Sequence, residues 1–159
     1  MIIRKATKKD AEQVAKLYLQ FWEVHKKINP LHQLDFVINY KNCLKDVKEL
    51  INYKSYWLYV AEENKEILGF ILFTIKKNPE GFKVRKYGFL EEAAVDKKHR
   101  GKGIAKQLLN FALNYFKNKK LKYVSCSVEI DNDTAFKVWQ KCGFKQLSRE
   151  LVRELSKAQ

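Results

Sequence analysis

The sequence predicts an α+β fold in which helices are interleaved with a mixed, mostly antiparallel sheet of six to seven strands. Two observations lead there. Apolar residues recur at three- and four-residue spacing in some segments and give way to aromatic and β-branched runs in others. Three consecutive strand-like runs are separated only by short turns, an antiparallel meander, while a later strand–helix–strand connection requires a parallel crossover. The 159 residues suit a single domain over 1–159, long enough to bury a core without disulfide or metal staples.

Met1–Ala6 reads as a short strand. Thr7 and Asp10 have the spacing of a helix N-terminal cap. Ala11, Val14, Ala15, Tyr18, Phe21, Trp22 and His25 then lie along one helical stripe. Asn29-Pro30 stops that helix. A second runs from about Gln33 to Ile51, with Phe36, Val37, Tyr40, Leu44, Val47 and Ile51 on one face. Ser55–Ala61 and Ile67–Ile75 read as strands joined by a turn at Glu63-Asn64-Lys65. Asn78-Pro79-Glu80-Gly81 punctuates the next turn, and a further strand runs to about Val95. A loop, Asp96–Gly103, leads into a helix carrying Ile104, Leu108, Phe111, Ala112 and Tyr115. Tyr123–Ile130 reads as a strand and Asp131–Cys142 as a short helix ended by Gly143. One or two closing strands are expected between Phe144 and about Leu155. That makes four helices.

Composition excludes several classes. Hydrophobic residues make up 46% and there are only 6 Gly and 2 Pro, so the chain is neither disordered nor a low-complexity linker. The longest apolar run, near Ile67–Ile75, is too short to span a bilayer. The opening residues show no secretory h-region. Cys43, Cys126 and Cys142 are an odd number at wide spacing, which points to a reducing, cytoplasmic location and away from a disulfide framework. His25, His32 and His99 have no metal-ligand spacing with one another or with the cysteines, so no metal is expected. Cys126, with no base placed beside it by the sequence, reads as a buried structural thiol.

The net charge is +14. Much of it is local: Gly81–Lys122 holds twelve basic residues against three acidic ones. Such a surface attracts polyanions. No nucleic-acid motif accompanies it, so a nucleic-acid partner is disfavoured, and compositional bias plus one local phosphate site explains the excess better.

That local site is Val95–Leu109. A strand ends, a loop carries Arg100-Gly101-Lys102-Gly103, and an amphipathic helix begins at once. The first amides of a helix have no internal acceptors and carry the positive end of its dipole. Glycines let the backbone approach an anion, and Arg100, Lys102 and Lys106 add charge, so the segment is a candidate phosphate cradle. It lacks the span and hydroxyl of a P-loop. It also lacks the third small residue of a dinucleotide fingerprint, Lys106 standing there instead.

Arg100-Gly101-Lys102-Gly103-Ile104-Ala105 resembles the Arg/Gln-x-x-Gly-x-Gly/Ala signature of the GNAT superfamily of acetyl-CoA-dependent N-acetyltransferases. Asn132-x-x-Ala135-x-x-x-Trp139-x-Lys141-x-Gly143-Phe144 is similar to a second segment of that family, at the family's spacing. The element order resembles it from Met1 to roughly Leu155. The resemblance implies an α/β/α layered, GNAT-like architecture whose sheet is splayed between strands four and five. Acetyl-CoA would enter there as acyl donor. Its pyrophosphate would lie on Arg100, Gly101, Lys102, Gly103, Ile104 and Ala105. Its pantetheine would pair with Ala93, Ala94 and Val95 as an added strand. Asn132, Ala135, Trp139 and Lys141 would complete the cofactor-binding set. Trp22, His25 and Tyr40 fall where the superfamily builds its acceptor site.

The implied reaction is direct attack of a neutral primary amine on the thioester, which needs a base. Glu91 and Glu92 stand where the family often keeps an acid. Strand alternation sends them to opposite faces, so at most one would face the cleft, and Glu92 is favoured. An amide near Ala94 would steady the developing oxyanion. The chain departs from the family at Trp139, which replaces the tyrosine that usually protonates the departing thiolate; an indole N–H donates but is no practical acid. Water, Tyr115 or Cys126 could serve instead, or the thiolate could leave unprotonated. The acceptor stays open between a small molecule and a protein or peptide amine, with a polycation disfavoured by the +14 charge unless a local acidic pocket overrules it. An acyl-CoA-binding protein with little turnover is the alternative. No membrane partner is expected, and the oligomeric state, monomer or homodimer, stays open.

Overall fold

The computed structural model describes residues 1–25, 39–151 and 153. The elements are β1 (Ile2–Lys5), α1 (Ala11–His25), α2 (Tyr40–Asn52), β2 (Tyr56–Glu63), β3 (Glu66–Lys77), β4 (Lys86–Val95), α3 (Ile104–Asn118), β5 (Val124–Cys126) and α4 (Asp133–Lys141). Short 3-10 turns precede α1 (Lys8–Asp10) and follow β4 (Lys97–His99). The sheet order is β1-β2-β3-β4-β5, antiparallel from β1 to β4 and parallel between β4 and β5.

Local chemistry explains the element ends. The Thr7 amide and hydroxyl both donate to Asp10 Oδ2, at 2.7 and 2.8 Å, which fixes the entry into α1. Asn39 caps α2 by accepting from the Asn42 amide at 3.0 Å. The β2–β3 hairpin turns through Asn64 and Lys65, both with positive φ (51° and 67°), the twist a two-residue hairpin requires. The expected start of α2 before Tyr40, the stop at Asn29-Pro30, and His32 fall outside the described residues.

Two expectations need correction. The sheet has five strands among the described residues, not six to seven. Residues 144–151 form no ladder, and Leu147 and Leu151 are more than nine-tenths exposed. The reason lies in their spacing: Phe144, Leu147 and Leu151 are three and four apart, which gives no apolar face at strand period. The fifth strand is also shorter than Tyr123–Ile130, because only Val124–Cys126 finds a partner.

The core has two halves, one on each face of the sheet. On one face Val14, Ala15 and Tyr18 of α1 and Cys43 and Val47 of α2 pack on Leu58, Val60, Phe70 and Leu72. On the other, Ile104, Leu108, Leu109, Ala112 and Phe116 of α3 pack on Ala61, Ile71, Phe73 and Leu90. Strand β3 is therefore buried on both faces and reads as a nearly unbroken apolar run. These layers set α1 and α2 on one side of β4 and α3 on the other.

Two stability outcomes follow. A Cβ at Gly88 would sit 2.7 Å from the fully buried Phe116 ring, so Gly88→Val is expected to cost about 1–3 kcal/mol in thermal or denaturant unfolding. The buried Asp10 carboxylate is held at a pKa of about 2, chiefly by hydrogen bonds from Arg4 (2.7 and 2.8 Å). A depressed acid stabilises the fold above its unfolded pKa and loses that contribution as pH falls through the folded value. Asp10→Asn should therefore cost about 1–2 kcal/mol at pH 7, partial exposure of Arg4 limiting the effect, and the difference from the parent should vanish near pH 2.

Candidate active site

The sheet parts where β4 outruns β5. Gly88, Phe89 and Leu90 pair with Val124, Ser125 and Cys126, and the ladder ends there. Beyond Leu90, β4 continues through Glu91–Val95, bonded to β3 on one side only. Its other edge offers free backbone groups of the kind an extended ligand can pair with. Ala93, Ala94 and Val95 lie on this edge, half-buried.

Strand alternation fails at the two glutamates. The β3–β4 register shifts between Leu72, opposite Glu92, and Phe73, opposite Leu90, so Glu91 is an extra residue, a β-bulge. Without it, Leu90 and Glu92 would share a face. With it, Leu90, Ala93 and Val95 pack on the α3 side, while Ala94 packs on the α1 side and Glu92 reaches Tyr18 there. Glu91 turns to Lys76 at 3.6 Å, and the Lys76 ammonium sits 3.2 Å from the centre of the Phe89 ring. The expectation that alternation separates the pair is thus overturned by the bulge; what separates them is their partners.

Glu92 is the perturbed group. Its Oε1 accepts from the Tyr18 hydroxyl at 3.1 Å, and its Oε2 is buried with no hydrogen-bond partner. Burial lifts its pKa to about 7; the Tyr18 hydrogen bond opposes that shift, and the charges of Glu91 and Asp46 add to it. A buried carboxylate oxygen without a partner is costly in a structural role and useful to a base.

The predicted cradle follows directly. Asp96 accepts from the Lys98 amide at 2.8 Å and from Gln20 Nε2 at 3.2 Å, which ties the turn after β4 to α1. Arg100 Nε donates to the Val95 carbonyl at 3.2 Å. Gly101 and Gly103 adopt positive φ (79° and 76°), and a Cβ at either would meet nothing within 4 Å. Gly103 supplies no capping side chain to α3, and Lys102, Ala105 and Lys106 are exposed. Ile104 is buried, so only its amide is available to a ligand. An open loop, a helix N-terminus and cationic side chains fit a pyrophosphate.

On the far side of the parted sheet, Asn132 caps α4 by accepting from the Ala135 amide at 3.1 Å, which commits its oxygen and leaves its NH₂ as donor. Trp139 packs edge-on against Phe144, with ring centres 5.3 Å apart, and against the α3-side core. Lys141 ends α4 and is exposed. Burial raises the Cys126 thiol to about 11, as suits a structural cysteine. Tyr115 packs with Trp57, Tyr59 and Phe73 on the α3 face.

Trp22 and His25 follow Tyr18 along one stripe of α1; Trp22 meets Tyr18 edge-on at 6.1 Å and His25 lies over Phe21 at 4.1 Å. Tyr40 opens α2, partly exposed. Tyr18 and Asp46 are the residues that sequence reasoning missed. Tyr18 sits on an apolar stripe and reads as core. Its one signal was a hydroxyl, which must find a partner when buried. Asp46 reads as a solvated helix residue, yet burial raises its pKa. No helix among the described residues is long and apolar enough to cross a membrane.

Comparison with known proteins agrees with this geometry. The model of the acetyltransferase (GNAT) family matches residues 12–144. A probable spermine N(1)-acetyltransferase of Bacillus subtilis subsp. natto (strain BEST195) is 29% identical over 117 residues, covering 72% of this chain and 74% of that protein. Among solved structures, the tetramutant of the BH1408 protein of Bacillus halodurans superposes with a TM-score of 0.81 at 21% identity, over 98% of this chain and 100% of that one. The aminoglycoside N-acetyltransferase AAC(6')-Iy in complex with CoA does so with a TM-score of 0.76 at 22% identity, over 97% and 93%. These structural likenesses speak to the fold. With the family model matched across most of its length, the chain belongs to the acetyltransferase (GNAT) family and is an acyltransferase.

Proposed function

We propose that the protein transfers the acetyl group of acetyl-CoA to a primary amine of a small polycationic acceptor, with Glu92 as general base. The observation that carries this reading is the partnerless, buried Oε2 of Glu92 beside the open edge of β4.

Acetyl-CoA, when bound, supplies a thioester carbonyl to an uncharged amine. The chain's own residues do the rest. The Gly101–Ala105 backbone, with Lys102 and Lys106, holds the diphosphate. The Ala93–Val95 edge pairs with the pantetheine arm and fixes its depth. Asn132 offers its NH₂ to the same arm, while Ala135, Trp139 and Lys141 line the α4 side. Glu92 Oε2 takes the ammonium proton; a carboxylate titrating near 7 is both ionised in part at neutral pH and basic enough to hold a proton. Trp139 supplies no acid. A thiol with an ordinary pKa of about 8.5 leaves tolerably as thiolate, so its loss slows the reaction without preventing it.

Charge supports the acceptor class. The cradle side is basic, but Asp46 acts on Glu92 from α2, and Glu23, Asp46 and Glu92 all raise the buried Cys43 thiol. A local acidic corner of this kind attracts a polycation despite the net +14, the condition under which the sequence reading allowed such an acceptor. The similarity to a probable spermine N(1)-acetyltransferase supports the same class. Trp22 and His25 on α1 and Tyr40 at the start of α2 are proposed to contact the acceptor.

Four outcomes test the reading. Release of CoA thiol should be faster with spermine or an aminoglycoside than with a monoamine or a peptide N-terminus; release with none of these amines, despite tight CoA binding, overturns it. Glu92→Gln should lower kcat/KM by roughly 10²–10⁴-fold. The parent's kcat/KM should rise with pH through about 7, because the base works only when ionised. Gly101→Asp keeps a residue that tolerates positive φ but places a carboxylate at the cradle, so calorimetry should find CoA bound at least about tenfold more weakly.

A further inference from the structure

Tyr18 is almost fully buried and enclosed by aromatic rings. Phe21 stacks on it at 6.3 Å, Trp22 meets it edge-on at 6.1 Å and Phe70 tilts against it at 5.9 Å. The Tyr18 hydroxyl donates to Glu92 Oε1, 3.1 Å away, because an ionised carboxylate can only accept. The surrounding rings hold that donor in place on Glu92.

We propose that Tyr18 is a positioning residue for Glu92: its ring-locked hydroxyl occupies Oε1, leaves Oε2 as the one oxygen open to a proton, and sets how readily that proton is taken. This rests on the reading of Glu92 as the base and assigns what controls it. The titratable and charged groups around Glu92 are Tyr18 and Glu23 from α1, Cys43 and Asp46 from α2, and Glu91 from its own strand; its β3 neighbour is Leu72. Burial, Glu91 and Asp46 all favour the protonated acid, and Tyr18 alone favours the carboxylate. Without the phenol a smaller fraction of the acid would be ionised at neutral pH and ready to take a proton from the amine. Tyr18 does not compete as an acid, since burial and the Glu92 charge raise its own pKa well above that of an ordinary phenol.

The test is a pH titration of the full chain labelled with carboxyl-¹³C glutamate, the Glu92 resonance being identified by its loss in Glu92→Gln. In Tyr18→Phe the Glu92 midpoint should move up by about one pH unit or more. The acidic limb of kcat/KM should move with it, giving a roughly tenfold loss near pH 6 that recovers by pH 9. Incorporation of 3,5-difluorotyrosine at Tyr18, which keeps the ring and strengthens the donor, should move the midpoint down. This second replacement decides the matter should Tyr18→Phe fail to fold. An unmoved midpoint in the folded replacements, or a loss of activity equal at every pH, overturns the positioning role. The Glu92→Gln activity tests the base assignment separately, so the two can fail independently.

Discussion

The site depends on one interruption of hydrogen bonding. β4 and β5 run parallel for three residue pairs and then separate, while β4 keeps its bonds to β3. An interior strand is thereby turned into an edge halfway along its length. An exposed edge is a liability that proteins usually cover; here it is short, half-buried and flanked by α3 and α4. The same stretch carries the bulge at Glu91, and bulges collect where a sheet must re-aim a side chain. Backbone and side chain are re-aimed together: the edge is left without a strand beside it, and Glu92 turns to the side of α1.

Charge is partitioned by the same strand. Beyond its C-terminal end stand the glycine turn and the cations at the start of α3. On its α1 face stand Glu92 and Asp46, with Glu23 nearby. On the proposed reading, the phosphates of the donor would lie toward the cations and the ammonium groups of the acceptor toward these carboxylates. Net charge, a sum over the chain, conceals this division.

Much of this was legible in the sequence where local chemistry decides. The cap at Thr7 and Asp10, the turn at Asn64-Lys65 and the amphipathic α3 behind Gly103 are set by residues within a few positions of one another. The glycine turn ahead of α3 was legible for the same reason. What misled was non-local. Alternation at Glu91 and Glu92 is broken by a register shift against β3, which no stretch of β4 alone announces. Tyr18 finds its partner 74 residues away, so its hydroxyl looks idle in the sequence. The closing strands expected after Phe144 do not form over residues 144–151, where the apolar spacing does not repeat every second residue.

Cys126 closes the last rung of the β4–β5 ladder, opposite Leu90. A sulfhydryl at the foot of such a crevice would be a hazard to any thioester held nearby, for thiolates exchange acyl groups readily. Burial raises its titration to about 11, so at neutral pH only about one molecule in ten thousand carries the reactive anion. The burial that raises this thiol would therefore also guard an acyl donor held there against theft by the protein itself.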